Sequence, residues 1–328
     1  MKLPSYLIAG VQVDVICVGE IVVDFIPIDD FTYKACFGGA PMNCAIACSK
    51  LGLKVGAITA VGNDAFGRFL INTLNEHGVD TSHVKIIKGT RTTLAFVVKL
   101  PGGEREFFFY RKPWSLSADT ELKLTDSDVE YLRRAKVVHI SGFALSQEPS
   151  RSEILNILPK LKAHNVLLSL DPTFRIDVWD SKEEARETYN EVLKYVDILL
   201  ATLKEYSLLF ETSDIGECIR SASKTGIKII GIKMGEKGAV LSNGDKAFFM
   251  KAYKVPVKDT VGAGDAWNAG ILYSLIRKLS LDHSLKIANA VAAIKCMHIG
   301  AIAGLPTIDE VERFIELHRE NVPEQFPL

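Results

Sequence analysis

Short β-branched runs alternate with helical patterns along most of this chain, and that rhythm limits its fold more than any other feature of the sequence. VDVICVGEIVV reads as a strand, PMNCAIACSKLG as a helix ending at Gly52, VGAITAVG as a strand, and AFGRFLINTLNEHG as a helix stopped by Gly78. KVVHISGF, SEILNILPKLKAHN and VLLSLDPT repeat the order, and DILLAT, KIIGIKMG and two C-terminal helices continue it. Strands alternating with helices predict an α/β fold with a mostly parallel sheet and helices on both faces. The 328 residues are 48% hydrophobic, so a large core is affordable in one big domain or two ordinary ones.

Two segments break the rhythm. RTTLAFVVKLPGGEREFFFYR has two strand-like halves around a PGG turn, and EIVVDFIPIDDFTYKACF is long, extended and without a helix. Together they predict a small separate sheet. GAVLSNGDKAFFMKA, turning at Asn243-Gly244, predicts a hairpin that extends the main sheet antiparallel. The expectation is one domain over residues 1–328, with a β appendage from about 20–37 and 89–112.

Composition narrows the function. Lysine plus arginine is 39 against 40 for aspartate plus glutamate, and no basic run occurs, which argues against a nucleic-acid or membrane-surface partner. Cys17, Cys36, Cys44, Cys48, Cys218 and Cys296 are scattered without a CxxC pair and read as reduced core thiols. The N-terminal MKLPSYLIAGVQVDVICVGEIVV is interrupted by Asp14 and Glu20 and reads as the start of the fold rather than a signal peptide. No long uncharged apolar span occurs, and a cytoplasmic setting is expected.

The stretch DTVGAGDAWNAG carries the chemistry. After Asp265, apolar residues at Trp267, Ile271, Leu272, Leu275, Ile276 and Leu279 have helical spacing, so Gly262, Ala263 and Gly264 form the turn feeding a helix. Such a turn offers backbone N–H groups and the positive end of the helix dipole, a setting for phosphate. The helix end should also hold Asp265 ionised at neutral pH, able to take a proton from an attacking hydroxyl. Taken alone, GAGD fits an N-cap behind a glycine turn better.

The surrounding chain resembles the ribokinase/PfkB family of carbohydrate kinases. DTVGAGDAWNAG is similar to the family's C-terminal signature, GGAPMNCAIACSKLG to its N-terminal one, VGNDAFGRFLINTLNEHGVD to the segment that follows, and IKMGEKGAVL to its nucleotide-side strand and turn. The resemblance implies a ribokinase-like three-layer αβα sandwich with a small β lid, with ATP and Mg²⁺ bound. Asp265 would be the catalytic base and Gly262, Ala263 and Gly264 the anion hole. Asp24, Gly38, Gly39 and Asn43 would hold the sugar, with Arg111 and Arg175 near the substrate or the transferring phosphate. Lys233, Gly235, Gly238, Gly262, Gly264 and Asn289 would serve the nucleotide. Glu205 would organise the magnesium water shell, although TLKE puts Thr202 where the family often has asparagine. Asp259 and the Val261 carbonyl match the place of a monovalent cation, K⁺.

RTTLAFVVKLPGGEREFFFYR, HISGFALSQEPSR, and DPTFR followed by Trp179 lean toward fructokinase. Thr173 and Trp267 depart from the usual asparagine and phenylalanine, and a 2-keto-3-deoxygluconate kinase shares the hairpin and the lysine of IKMG. FFFY reads as packing rather than sugar stacking. Neither G-x-G-x-x-G after the first strand nor a Walker A motif is present, which argues against a dinucleotide dehydrogenase and a P-loop kinase. A non-catalytic sugar sensor would be expected to lose the base or the glycines, and both are here. Apolar residues of the appendage, including Phe25, Phe31 and Phe107–Phe109, lead us to expect a homodimer pairing through it.

Overall fold

The computed structural model describes residues 13–29, 32–99 and 105–328. Within them lies a ten-stranded sheet. Its spatial order is Glu324–Phe326, Ala247–Met250, Ala239–Ser242, Ile229–Lys233, Ile198–Thr202, Leu167–Asp171, Ala135–Ser141, Val13–Val18, Val55–Ile58 and Val79–Asp80. Pairings from Ile229–Lys233 through Val79–Asp80 are parallel. The remaining three are antiparallel, as the hairpin at Asn243-Gly244 predicts, while the edge strand Glu324–Phe326 was not foreseen.

Strand alternation feeds two cores. Val15 and Cys17 enter the one shared with helices Ala40–Lys50, Ala263–Ile276 and Leu281–Cys296, whereas Ile16 and Val18 enter the one on the opposite face. Helix Ala40–Lys50 is buried from Pro41 to Cys48, so apolar residues ring it instead of forming a stripe. The chain leaves Val13–Val18 in one direction toward Val55–Ile58 and returns on its other side at Ala135–Ser141. Ligands of such sheets bind beyond the strand C-termini where the order reverses.

A second, four-stranded sheet has the order Thr32–Gly38, Val22–Asp29, Thr93–Lys99, Arg105–Tyr110. The two arrhythmic segments supply it, although the PGG turn and Phe31 lie outside the described residues, as does Met1–Gln12 of the N-terminal reading. Two apolar runs were misread as single strands. VDVICVGEIVV breaks at Gly19, whose φ of 147° redirects the chain from the main sheet into the second one. VGAITAVG splits into Val55–Ile58 and Ala60–Gly62, the latter pairing with Lys85–Ile87 in a two-stranded sheet. Apolarity marks a buried strand but not the sheet it joins. The cysteines are free thiols, four of them buried, and no helix among the described residues is long and apolar enough to cross a membrane.

Candidate active site

The C-terminal ends of the parallel strands and the inner face of the second sheet enclose a cleft of about 510 Å³. Glu20, Asp24, Asn43, Asp171, Lys233 and Asp265 line it, together with the turn that opens helix Ala263–Ile276. That turn is possible because Gly262 has a φ of 77°, and a Cβ there would lie 2.7 Å from the Ala301 carbonyl oxygen. The Ala263 amide folds back onto the Thr260 carbonyl at 3.1 Å, so Ala263 drops out of the expected anion hole. The amides of Gly264 and Asp265, in the first turn, have no intrahelical acceptor and remain for a ligand.

Asp265 does not cap its helix. Its Oδ2 accepts from Asn43 Nδ2 at 2.8 Å across 222 residues of sequence. Asn43 is itself buried, and its Oδ1 has no hydrogen-bond partner among the described residues. Burial at the cleft floor pushes the Asp265 carboxyl up to about 7; the Asn43 amide opposes that rise and nearby Asp171 adds to it. This corrects the expectation of a low pKa: the helix end is present, but desolvation outweighs it. The side chain is only partly buried, so water in the open cleft still reaches it.

Asp24 lies on the inner face of the second sheet, in register with Cys36 and Ala95. Burial, followed by repulsion from Asp265 and Asp259, raises its carboxyl to about 8. Gly38 makes this position possible without facing the cleft: a Cβ there would sit 2.2 Å from Asp24 Oδ2. The expected contact of Gly38 with the sugar is therefore replaced by room for Asp24. Gly39, with a φ of 104°, does line the cleft. Sequence reasoning missed Glu20, whose Oε1 accepts from the Ala40 amide and Ser141 Oγ while Oε2 has no partner among the described residues. Burial raises its carboxyl to about 8.

The second missed feature is a buried ion pair. Lys233 Nζ donates to Asp171 Oδ2 at 2.7 Å and to Asn268 Oδ1 at 3.1 Å, and Asn268 Nδ2 donates to the same Asp171 oxygen at 2.6 Å. Burial opposes both charges, but the pairing wins, leaving the Lys233 ammonium above and the Asp171 carboxyl below their ordinary values. Asp171 and Lys233 each end a parallel strand and Asn268 lies in the opening turns of a helix; the resemblance marked Lys233 for the nucleotide but not its pairing with the other two. Thr202 and Glu205 form a capping box, and Glu205 Oε1 also accepts from the Phe174 amide at 2.9 Å. Both Glu205 oxygens are thus already accepting hydrogen bonds, from Thr202 and from the Phe174 amide, an arrangement that suits contact with a hydrated divalent ion through water.

Several expected residues lie elsewhere. Arg111 is fully buried behind the cleft, paired with Asp119 at 2.6 Å, bonded to Ser146 Oγ at 2.7 Å and stacked on Phe143. Its guanidinium holds the wall and does not line the cleft. Asn289 is also committed, accepting from Trp267 Nε1 at 2.8 Å and donating to the Lys251 carbonyl at 3.2 Å. Gly235 and Gly238 shape the turn after Ile229–Lys233 without lining the cleft. Arg175 lines the mouth, its guanidinium 5.8 Å from the Phe107 ring. The FFFY run is divided by the pleat: Phe107 and Phe109 face the cleft, and Phe108 and Tyr110 lie exposed opposite. At the expected cation position, Asp259 Oδ1 and Oδ2 accept from the Val261 and Gly300 amides, and its carbonyl from Lys295 Nζ.

The pfkB family carbohydrate kinase model matches residues 12–308. Fructokinase-1 of Oryza sativa subsp. japonica is 34% identical over 323 residues, covering 94% of this chain and 99% of that protein. The ATP-dependent 6-phosphofructokinase of Thermoanaerobacterium thermosaccharolyticum is 31% identical, covering 93% and 95%. Among solved structures, fructokinase from Vibrio cholerae O395 in its fructose, ADP and calcium ion bound form superposes with a TM-score of 0.83 at 30% identity, covering 92% and 98%. The fold is ribokinase-like, and the chain belongs to the pfkB family of carbohydrate kinases, in its fructokinase-like branch.

Proposed function

We propose that this sugar phosphotransferase moves the γ-phosphoryl group of ATP to a hydroxyl of fructose, with Asp265 as the base. The observation that carries the reading is the 2.8 Å bond between Asn43 and Asp265 at the cleft floor. It leaves Asp265 Oδ1 for a substrate hydroxyl and Asn43 Oδ1 for a second one, directly beside the amides of Gly264 and Asp265. The hydroxyl oxygen attacks the γ-phosphorus, its proton passes to Asp265, and the bond to the bridging oxygen breaks with its electron pair leaving on ADP. The helix end, with Lys233, meets the phosphate charge, a mainly positional and electrostatic catalysis.

Glu20, Asp24 and the Asn43 amide oxygen offer acceptors for several hydroxyls in one wall, the pattern a neutral polyol needs. Gly39 lets the sugar approach the backbone. Burial raises the Glu20 and Asp24 carboxyls to about 8, so near neutrality this wall is largely uncharged and gives a sugar acid such as 2-keto-3-deoxygluconate no cation to pair with. A phosphorylated sugar would need a cation, and Arg175 at the mouth has no carboxylate partner among the described residues. Magnesium, held by the ATP phosphates and reached from Glu205 through water, would offset phosphate charge. We read residues 1–328 as one kinase domain, its second sheet the lid. The aromatic outer face of that sheet, where Phe96 stacks on Phe25 at 4.7 Å and on Phe108 at 5.1 Å, supports a lid-to-lid homodimer, which sedimentation would check.

The test is ³¹P NMR of products from ATP, Mg²⁺ and fructose, fructose 6-phosphate, 2-keto-3-deoxygluconate, ribose or adenosine. Fructose monophosphate as the dominant product supports the reading. Preference for an anionic sugar moves the substrate toward Arg175 and overturns the neutral-polyol argument.

A further inference from the structure

The turn that presents the anion hole is tied to the end of helix Leu281–Cys296 and the loop after it. The Lys258 and Asp259 amides both donate to the Cys296 carbonyl, at 2.8 and 3.1 Å. The Gly300 amide donates to Asp259 Oδ2 at 2.8 Å, and Ala301 packs where a Gly262 side chain would stand. At the centre of this knot is Lys295, fully buried in the last turn of its helix, with Nζ 3.0 Å from the Asp259 carbonyl oxygen. It does not line the cleft, and the proposed chemistry does not use it. A buried ammonium carries a heavy desolvation cost, so this lysine needs a reason.

We propose that the Lys295 ammonium is a tethered cation that occupies the position a free monovalent cation would take, and that the protein therefore works without K⁺. A potassium ion is held by oxygens that replace its water shell. Here the Asp259 carbonyl oxygen already accepts from the Lys295 ammonium, and a loose cation on the same group would meet the repulsion of that fixed, buried like charge, while the carboxylate oxygens accept from the Val261 and Gly300 amides. The ammonium instead fixes the Asp259 carbonyl. From there the chain has five residues to run through Thr260, Val261 and Gly262 to the Gly264 amide. Lys295 is thus a positioning residue. It touches neither sugar nor nucleotide and acts through the geometry of the turn.

The experiment compares the wild-type chain with Lys295→Ala, which opens the space, and Lys295→Met, which fills it without charge. Thermal melting and ATP-dependent turnover are measured in KCl, NaCl and tetramethylammonium chloride at equal ionic strength. Wild-type turnover and melting should be the same in K⁺ and tetramethylammonium. Lys295→Ala should lose on the order of tenfold in turnover, as for removal of a group that orients others. K⁺ should restore much of that loss and raise the melting temperature of this variant, while Lys295→Met stays impaired in every salt. Clear K⁺ activation or stabilisation of the wild type would overturn the proposal, as would full activity of Lys295→Ala in tetramethylammonium. If neither variant folds, the wild-type salt comparison decides. Because melting needs no turnover, a wrong sugar would leave that arm intact and show as failure of the kinase assay alone.

Discussion

Asp24→Asn should stabilise the folded protein while disabling it. The Asp24 carboxyl rises from 3.8 to about 8 on folding, and it makes no hydrogen bond to another described residue. At pH 7 the folded chain must hold a proton that the unfolded chain has released. About three pKa units at roughly 1.4 kcal/mol each set an upper limit of about 4 kcal/mol. Water in the open cleft and relief of the shared repulsion with Asp265 bring the expected gain nearer 2 kcal/mol. With an unfolding entropy of about 2.1 cal/mol/K per residue, that gain raises the melting temperature by roughly 3 °C. The sign with pH follows from the raised value. Wild-type stability from this group is fully present below about pH 4 and is lost as pH rises toward about 8. The advantage of the variant is therefore absent at pH 4, grows through neutrality and levels off above about pH 8. Urea unfolding at pH 4.5, 7 and 9, beside the KM for sugar, measures both effects. A variant less stable than wild type at pH 9, or a difference that ignores pH, would refute the reasoning.

Three further outcomes are expected. Lys233→Met leaves Asp171 buried without its cation and should cost about 3–5 kcal/mol near neutrality; the penalty should shrink in acid as Asp171 takes a proton, which unfolding at pH 7 and pH 4 checks. Gly262→Ala forces a side chain onto the Ala301 carbonyl at a φ of 77°; it should lower kcat by about 10²–10³ through displaced amides, with a smaller change in sugar KM. In the wild type, kcat/KM should fall as pH drops through about 7, because the raised Asp265 carboxyl must be ionised to act, and a profile flat from pH 5 to 8 would contradict that value.

Much of the fold was legible because strand and helix periods differ and glycines marked the helix ends at Gly52 and Gly78. The breaks at Gly19 and in VGAITAVG were not, because a continuous apolar run says that a strand is buried and nothing about its partners. In the site, GAGD and its helix were readable locally. The pKa of Asp265 was not, since its direction depends on burial and on Asp171, 94 residues earlier in the chain. Asp171 and Asn268 look ordinary in DPTFR and DAWNAG, Lys233 is marked in IKMG only for the nucleotide, and the three become a unit only where two strand ends meet a helix. Arg111 and Asn289 show the complementary limit. A motif position identifies a residue but not the partner that claims it, here Asp119 and Trp267. The pleat likewise decided which rings of FFFY face the cleft, something a run of four aromatics does not reveal.

The central claim is that Asp265 takes the proton of the attacking hydroxyl, and the most direct measurement is kcat for ATP-dependent fructose phosphorylation by Asp265→Asn. Asparagine keeps the shape and can still pair with Asn43, so nucleotide affinity should stay close to wild type while kcat falls by roughly 10²–10⁴. A variant that binds ATP normally and turns over within a few fold of wild type would mean that the proton goes elsewhere, and the assignment of the base would be wrong.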